Sequence, residues 1–121
     1  TLDTTHQVLT TPERLEAMRT IGNPVSTAAA GMLSFYGQHD LERYGLSGAP
    51  LHDPCVLAYL HSPELFTTKK VAVAVETAGE HTLGRTVGDW YGDDQASTID
   101  VADTVNVEGV YDLLTAALKN F

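Results

Sequence analysis

One cysteine, Cys55, among 121 residues excludes an internal disulfide and fits a reducing compartment. No apolar run approaches the roughly 20 residues that a membrane-spanning helix needs. The first residues, Thr1-Leu2-Asp3-Thr4-Thr5, carry neither the basic region nor the apolar stretch of a secretory leader. A soluble, cytoplasmic chain is the expectation from these absences. Basic residues are scarce as well: 7 Lys and Arg stand against 16 Asp and Glu, a formal charge of −9. Nucleic acid and anionic membrane surfaces are therefore repelled rather than bound. Glycine-rich phosphate loops, nucleophile elbows and Cys-x-x-Cys pairs are missing, as are internal repeats and low-complexity tracts. There is no initiating Met, and the chain opens as if inside a folded segment, so a fragment is expected.

What is present suits one α/β domain: 43% of the residues are hydrophobic, and the length allows a buried core. Residues 1–9 read as short and β-leaning. Thr11 caps a helix with Pro12 at its first position, and Gly22 stops it. Asn23-Pro24 starts a second helix whose Val25, Ala28, Ala29, Met32, Leu33 and Tyr36 recur at helical spacing. That face is expected to be buried, and the helix to end between Gly37 and Tyr44. Pro54 to Leu60 reads as a short helix stopped by Ser62-Pro63, with Leu65-Phe66 packed beneath it. Lys70 to Glu76 alternates as a strand, Val71, Val73 and Val75 on one face. Thr77 to Glu80 is a turn, His81 to Trp90 a second strand, residues 91–97 a polar loop, and Thr98 to Val105 a third strand. Val107 to Phe121 is the clearest amphipathic helix, with Asn106 as its cap. Helices first, strands next and a helix last is an unusual order for a complete doubly wound sheet, in which strands feed helices from the start.

The richest chemistry lies in Gly48-Ala49-Pro50-Leu51-His52-Asp53-Pro54. A Gly/Pro loop turns into a helix here, Asp53 suits the N-cap and Pro54 the first helical position. An unperturbed imidazole titrates near neutrality, and His52, beside a carboxylate, can donate a proton to a leaving group. Asp53 is a hard oxygen donor for a cation. The plainer alternative is a helix cap with a surface histidine. His6 reads as a structural hydrogen-bonding residue, His39, His61 and His81 as loop or surface residues without zinc-site spacing, and Asp93-Asp94 as a solvated turn. Cys55 sits where a helix dipole can lower a thiol pKa, but no base accompanies it, and a buried small side chain is the favoured reading. Tyr36 and Tyr44, ahead of the loop, can stack on a planar ligand or simply pack.

A collinear series of segments carries a family resemblance. Leu2-Asp3-Thr4-Thr5-His6-Gln7 and Thr11-Pro12-Glu13 are followed by Tyr44-Gly45-Leu46-Ser47 leading into the Gly48 to Pro54 loop. Ala58-Tyr59-Leu60, Pro63-Glu64-Leu65-Phe66, Val75-Glu76-Thr77-Ala78-Gly79-Glu80 and Gly84-Arg85-Thr86-Val87 complete the series. The chain resembles the C-terminal part of the inosine-uridine-preferring nucleoside hydrolases. The resemblance implies the C-terminal portion of an open α/β sheet with packed helices, spanning residues 1–121, with the N-terminal βα half absent. It implies a calcium-dependent enzyme of purine and pyrimidine salvage that hydrolyses the base–ribose bond of ribonucleosides, a homo-oligomer at full length.

Within that resemblance His52 matches the proton donor to the leaving base, Asp53 matches a Ca²⁺ ligand, and Tyr44 and Tyr36 match positions that contact the nucleoside. The family's Asp-x-Asp-x-Gly-x-Asp-Asp signature, which supplies most metal ligands and the base, has no counterpart here. The chain alone is accordingly expected to bind Ca²⁺ weakly and to lack useful activity. Its apolar faces, those of Val71-Val73-Val75 and the last helix, are expected to lack cover. A non-catalytic binding or assembly domain derived from the family is the alternative, and chance sharing of the tripeptide His52-Asp53-Pro54 by an unrelated α/β protein is a third reading.

Overall fold

The computed structural model describes residues 1–92 and 99–121, apart from the side chains of His39, Leu41 and Tyr44. The chain runs α1 (Leu2–Thr5), β1 (Leu9–Thr10), α2 (Pro12–Ile21), α3 (Pro24–Tyr44), β2 (Ala49–Pro50) and α4 (Asp53–His61). A single 3₁₀ turn, Pro63–Leu65, leads into β3 (Phe66–Val75), β4 (Thr86–Asp89), β5 (Ile99–Val105) and α5 (Val107–Leu118). Among the described residues, two small open sheets result. One pairs β1 with β2; the other has the order β4-β3-β5, and every pairing is antiparallel.

Local chemistry accounts for most boundaries. The Thr11 hydroxyl accepts from the Arg14 amide to cap α2, and Gly22 ends that helix at φ +79°, a conformation that favours glycine. The Asn23 side-chain oxygen accepts from the Ser26 amide at 2.8 Å at the head of α3, while its amide nitrogen donates to the Leu118 carbonyl at 2.7 Å. One residue thus starts α3 and holds the end of α5. Asn106 caps α5 by accepting from the Gly109 amide at 3.1 Å. The Tyr59 ring meets the Phe66 ring edge-on at 5.6 Å, which places α4 over the start of β3.

Several elements depart from the sequence reading. Residues 2–5 are helical rather than extended, because the Thr4 hydroxyl donates to the Ala102 carbonyl at 2.7 Å and draws this turn onto β5. β4 is shorter than the expected strand, since residues 80–84 form a turn in which Gly84 N–H donates to the Glu76 carbonyl. The buried face of α3 is only in part the expected one: Ala29 and Leu33 pack against the core, but Val25, Ala28, Met32 and Tyr36 are exposed. Ser26, Ala30 and Gly37 turn inward, whereas Met32 and Phe35 are 68% and 80% exposed. Small residues let α3 lie close to its neighbours, and a Cβ on Gly37 would come within 3.1 Å of the Ala49 Cβ. In β3, Val71 is fully buried and Val75 is exposed, so the strand's valine face is covered at one end only. Asp93-Asp94 and Thr98 lie outside the described residues.

The core gathers Val8, Met18, Leu51, Cys55, Val110 and Leu118 from five separate segments. Leu51, one residue before His52, is among its buried members.

Candidate functional site

The loop carrying His52 is held from two sides. Leu9 and Thr10 pair with Pro50 and Ala49, and the Leu51 amide donates to the Val8 carbonyl at 2.8 Å. Gly48 permits the approach: a Cβ there would lie 2.5 Å from the Thr10 carbonyl oxygen and 2.9 Å from the Thr11 nitrogen. Both are backbone atoms that cannot swing aside, so only glycine fits without moving the strand pair.

His52, not Asp53, is the N-cap of α4, and its side chain makes no capping bond. Asp53 and Pro54 occupy the first turn, and the Cys55 amide donates to the His52 carbonyl at 3.1 Å. The helix therefore begins one residue earlier than the N-cap preference of Asp suggests. Backbone fixed by Pro50 and Pro54, together with the β1–β2 pairing, sets that start instead. Asp53 is exposed and stands at the positive end of the helix, where a carboxylate is favoured.

The His52 ring is half-buried against α1. Its Nδ1 lies 2.8 Å from the Thr5 hydroxyl, and its centroid lies 5.6 Å from that of His6, with the rings inclined at 52°. Thr5 and His6 were not legible as neighbours of this site. Forty-seven positions separate Thr5 from His52, and no local pattern in residues 1–10 announces the contact. His6 stands at the site rather than apart from it.

The other candidates are placed as follows. Tyr36 is half exposed and borders an apolar hollow of about 300 Å³ with Met32, Leu33 and Pro54, next to the head of α4. Tyr44 ends α3, and its side chain lies outside the described set. Cys55 is buried and donates to the Leu51 carbonyl at 2.8 Å. Burial pushes its thiol above the ordinary value, opposite to what a helix dipole alone would do. A packed, inert thiol is the result. His61 contacts the neighbouring Ser62 hydroxyl at 2.9 Å and borders a larger apolar groove of about 420 Å³ between α4 and α5. Neither hollow is lined by His52 or Asp53.

Among the described residues, no group of three or more His, Cys, Asp or Glu side chains is placed to hold a metal ion. Ca²⁺ takes about six to eight oxygens, and Asp53 offers one carboxylate. These residues therefore do not complete a calcium site. No helix among the described residues is long and apolar enough to cross a membrane.

Residues 1–112 match the family model for inosine-uridine preferring nucleoside hydrolases. The chain is 47% identical over 122 aligned positions to the pyrimidine-specific ribonucleoside hydrolase RihA of Escherichia fergusonii, covering 98% of this chain and 39% of that protein. RihA proteins from Escherichia coli strains match to the same extent. The chain thus spans about two fifths of the length of the curated relatives it matches. Among solved structures, the purine-preferring ribonucleoside hydrolase from Gardnerella vaginalis superposes with a TM-score of 0.81 at 29% identity, over 99% of this chain and 40% of that one. The plant nucleoside hydrolase PpNRh1 gives a TM-score of 0.80 at 28% identity, over 98% and 39%.

Proposed function

Because the chain belongs to the inosine-uridine preferring nucleoside hydrolase family, we propose that it is the C-terminal portion of a ribonucleoside hydrolase. In this reading it supplies the proton donor and one cation ligand to a site that further polypeptide completes. The observation that carries the reading is the His52-Asp53 pair on the clamped head of α4, inside the stretch matched by the family model.

Breaking a base–ribose bond puts positive charge on the sugar and negative charge on the departing base. His52, half-buried and tied through Nδ1, is suited to give a proton from its other nitrogen to the base. Asp53 is suited to the sugar side, where a carboxylate favours developing positive charge. Calcium enters the proposal as the cation for which Asp53 is one hard oxygen donor, the other ligands coming from outside these residues. Tyr36, beside Pro54, is suited to contact the nucleoside from the α3 side.

Exposed apolar surface supports the need for further polypeptide. Helix α4 turns Cys55 and Ala58 to the core, yet Val56, Leu57 and Leu60 are exposed on its other sides, Leu60 at 73%. A helix that is apolar all round is one built for burial in a larger body. Met32 and Phe35 on α3 are exposed as well.

The test is complementation. The purified chain is mixed or co-expressed with a polypeptide covering the remaining roughly three fifths of RihA, and ribose release from uridine and inosine is measured with and without Ca²⁺. Calcium-dependent hydrolysis by the mixture, and none by either part, is the expected result. A stable complex without hydrolysis would instead favour a binding or assembly role.

A further inference from the structure

We infer that Thr5 is a positioning residue for His52, fixing which ring nitrogen faces a ligand. The Thr5 hydroxyl lies 2.8 Å from His52 Nδ1 and 3.4 Å from the carbonyl of Leu2, one turn back in its own helix. A hydroxyl has one proton to give and lone pairs to receive with. The shorter contact takes that proton: Thr5 donates to Nδ1 of the neutral ring, which then carries its own proton on Nε2. When the ring is charged, Nδ1–H donates to the Thr5 oxygen, and the hydroxyl proton turns to the Leu2 carbonyl. In both states Nδ1 is occupied by α1, and Nε2 is the nitrogen left to exchange a proton with a bound molecule.

The anchor is itself held. Thr4, next in the chain, is buried and donates to the Ala102 carbonyl at 2.7 Å, and the Gln7 side chain donates to the Asp103 carbonyl at 3.1 Å. These two bonds fasten α1 to β5 on either side of Thr5. The His6 ring packs beside the imidazole, 5.6 Å away between centroids and inclined at 52°. A ring held by a hydrogen bond is oriented before a ligand arrives, the condition under which proton transfer is efficient.

The consequence for hydrolysis rests on the reading of His52 as proton donor, whereas the hydrogen bond does not and is tested apart from activity. Side-chain ¹⁵N NMR of the 121-residue chain, at a pH where an ordinary imidazole is neutral, reads the state of both His52 nitrogens. In the wild type, Nε2 is expected to carry the proton, and the Nδ1 resonance to be displaced from the free-acceptor position toward that of a hydrogen-bonded acceptor. Thr5→Val should return Nδ1 to the free-acceptor position, and Thr5→Ser should keep the wild-type signature. Far-UV circular dichroism and the His61 ring signals monitor the fold. An Nδ1 resonance at the free-acceptor position in the wild type, or identical His52 spectra in the wild type and a folded Thr5→Val variant, would overturn the inference. The wild-type measurement decides alone if the valine variant does not fold.

Discussion

The hydroxyls of Thr10 and Tyr111 lie 2.8 Å apart inside the core, a hydrogen bond between residues 101 positions apart that ties β1 to α5. The Arg14 guanidinium covers the Tyr111 ring at 4.2 Å, pairs with Glu108 and donates to the Leu9 carbonyl at 2.7 Å, so it too joins α5 to β1. Removing the hydroxyl in Tyr111→Phe leaves the buried Thr10 hydroxyl without this partner, a loss of about 1–3 kcal/mol. Urea unfolding of the two proteins measures it. Equal midpoints would show that the bond adds nothing.

Gly48→Ala is expected to lower stability by about 1–3 kcal/mol, the usual scale for forcing a side chain into occupied space. The added methyl meets the Thr10 backbone, and β1 must part from β2 to admit it. Amide hydrogen exchange at Leu51, whose N–H donates to the Val8 carbonyl, reports the parting directly. Protection equal to wild type would contradict the clamp.

The pH dependence of stability has two limbs. Burial raises the Cys55 thiol and the Tyr111 phenol above their ordinary values; for Tyr111, the Thr10 hydrogen bond and the Arg14 charge act the other way but do not cancel it. Below their unfolded-state pKa values both groups are protonated in both states, and this contribution is fully present. As pH rises further, the unfolded chain sheds protons that the folded chain keeps, so stability falls from about pH 9 upward. The double variant Cys55→Ala, Tyr111→Phe should flatten the alkaline limb in urea titrations between about pH 8 and 11.

On the acid side, the Glu76 carboxylate accepts from the Ala78 and Gly79 amides at 2.8 and 3.0 Å, which holds its pKa below the ordinary value. Its contribution is present above the unfolded pKa and is lost as pH falls through the folded one. Glu76→Gln should reduce the acid-side slope, slightly, because a half-exposed carboxylate is screened by solvent.

Exposed apolar residues on α4 are expected to matter for association rather than folding. Leu57→Glu and Leu60→Glu replace side chains that are 69% and 73% exposed, so the unfolding midpoint should stay within about 0.5 kcal/mol of wild type. Sedimentation should show less self-association, and complementation by the RihA polypeptide should be lost. Retained complementation would place the docking surface elsewhere.

Caps and stops were legible in the residues: Thr11-Pro12, Gly22 and Asn106 act through atoms within four positions of themselves, which a sequence window contains. The valine alternation of β3 was legible for the same reason. Helix α1 was not, since four residues have little intrinsic helical tendency and Thr4 is drawn into place by β5. The rotation of α3's buried face was hidden by a sound rule, that apolar spacing marks the buried face. Here Ser26, Ala30 and Gly37 face neighbours at close range, Ala29 and Leu33 still reach the core, and Met32 and Tyr36 of the apolar stripe stand exposed. At the site, the His52-Asp53 pair was visible as two adjacent letters. Thr5 and His6 come to it only through tertiary contacts, the bonds that fasten α1 to β5 and the pairing of β1 with β2.

The most direct measurement compares two ribosides in the reconstituted protein, with and without His52→Ala. Uridine must release a base that leaves well only when protonated; a nitrophenyl riboside releases a stable phenolate without a proton. If His52 is the proton donor, the variant loses about 10²–10⁴-fold on uridine and far less on the nitrophenyl riboside. Equal losses on both substrates would contradict that role.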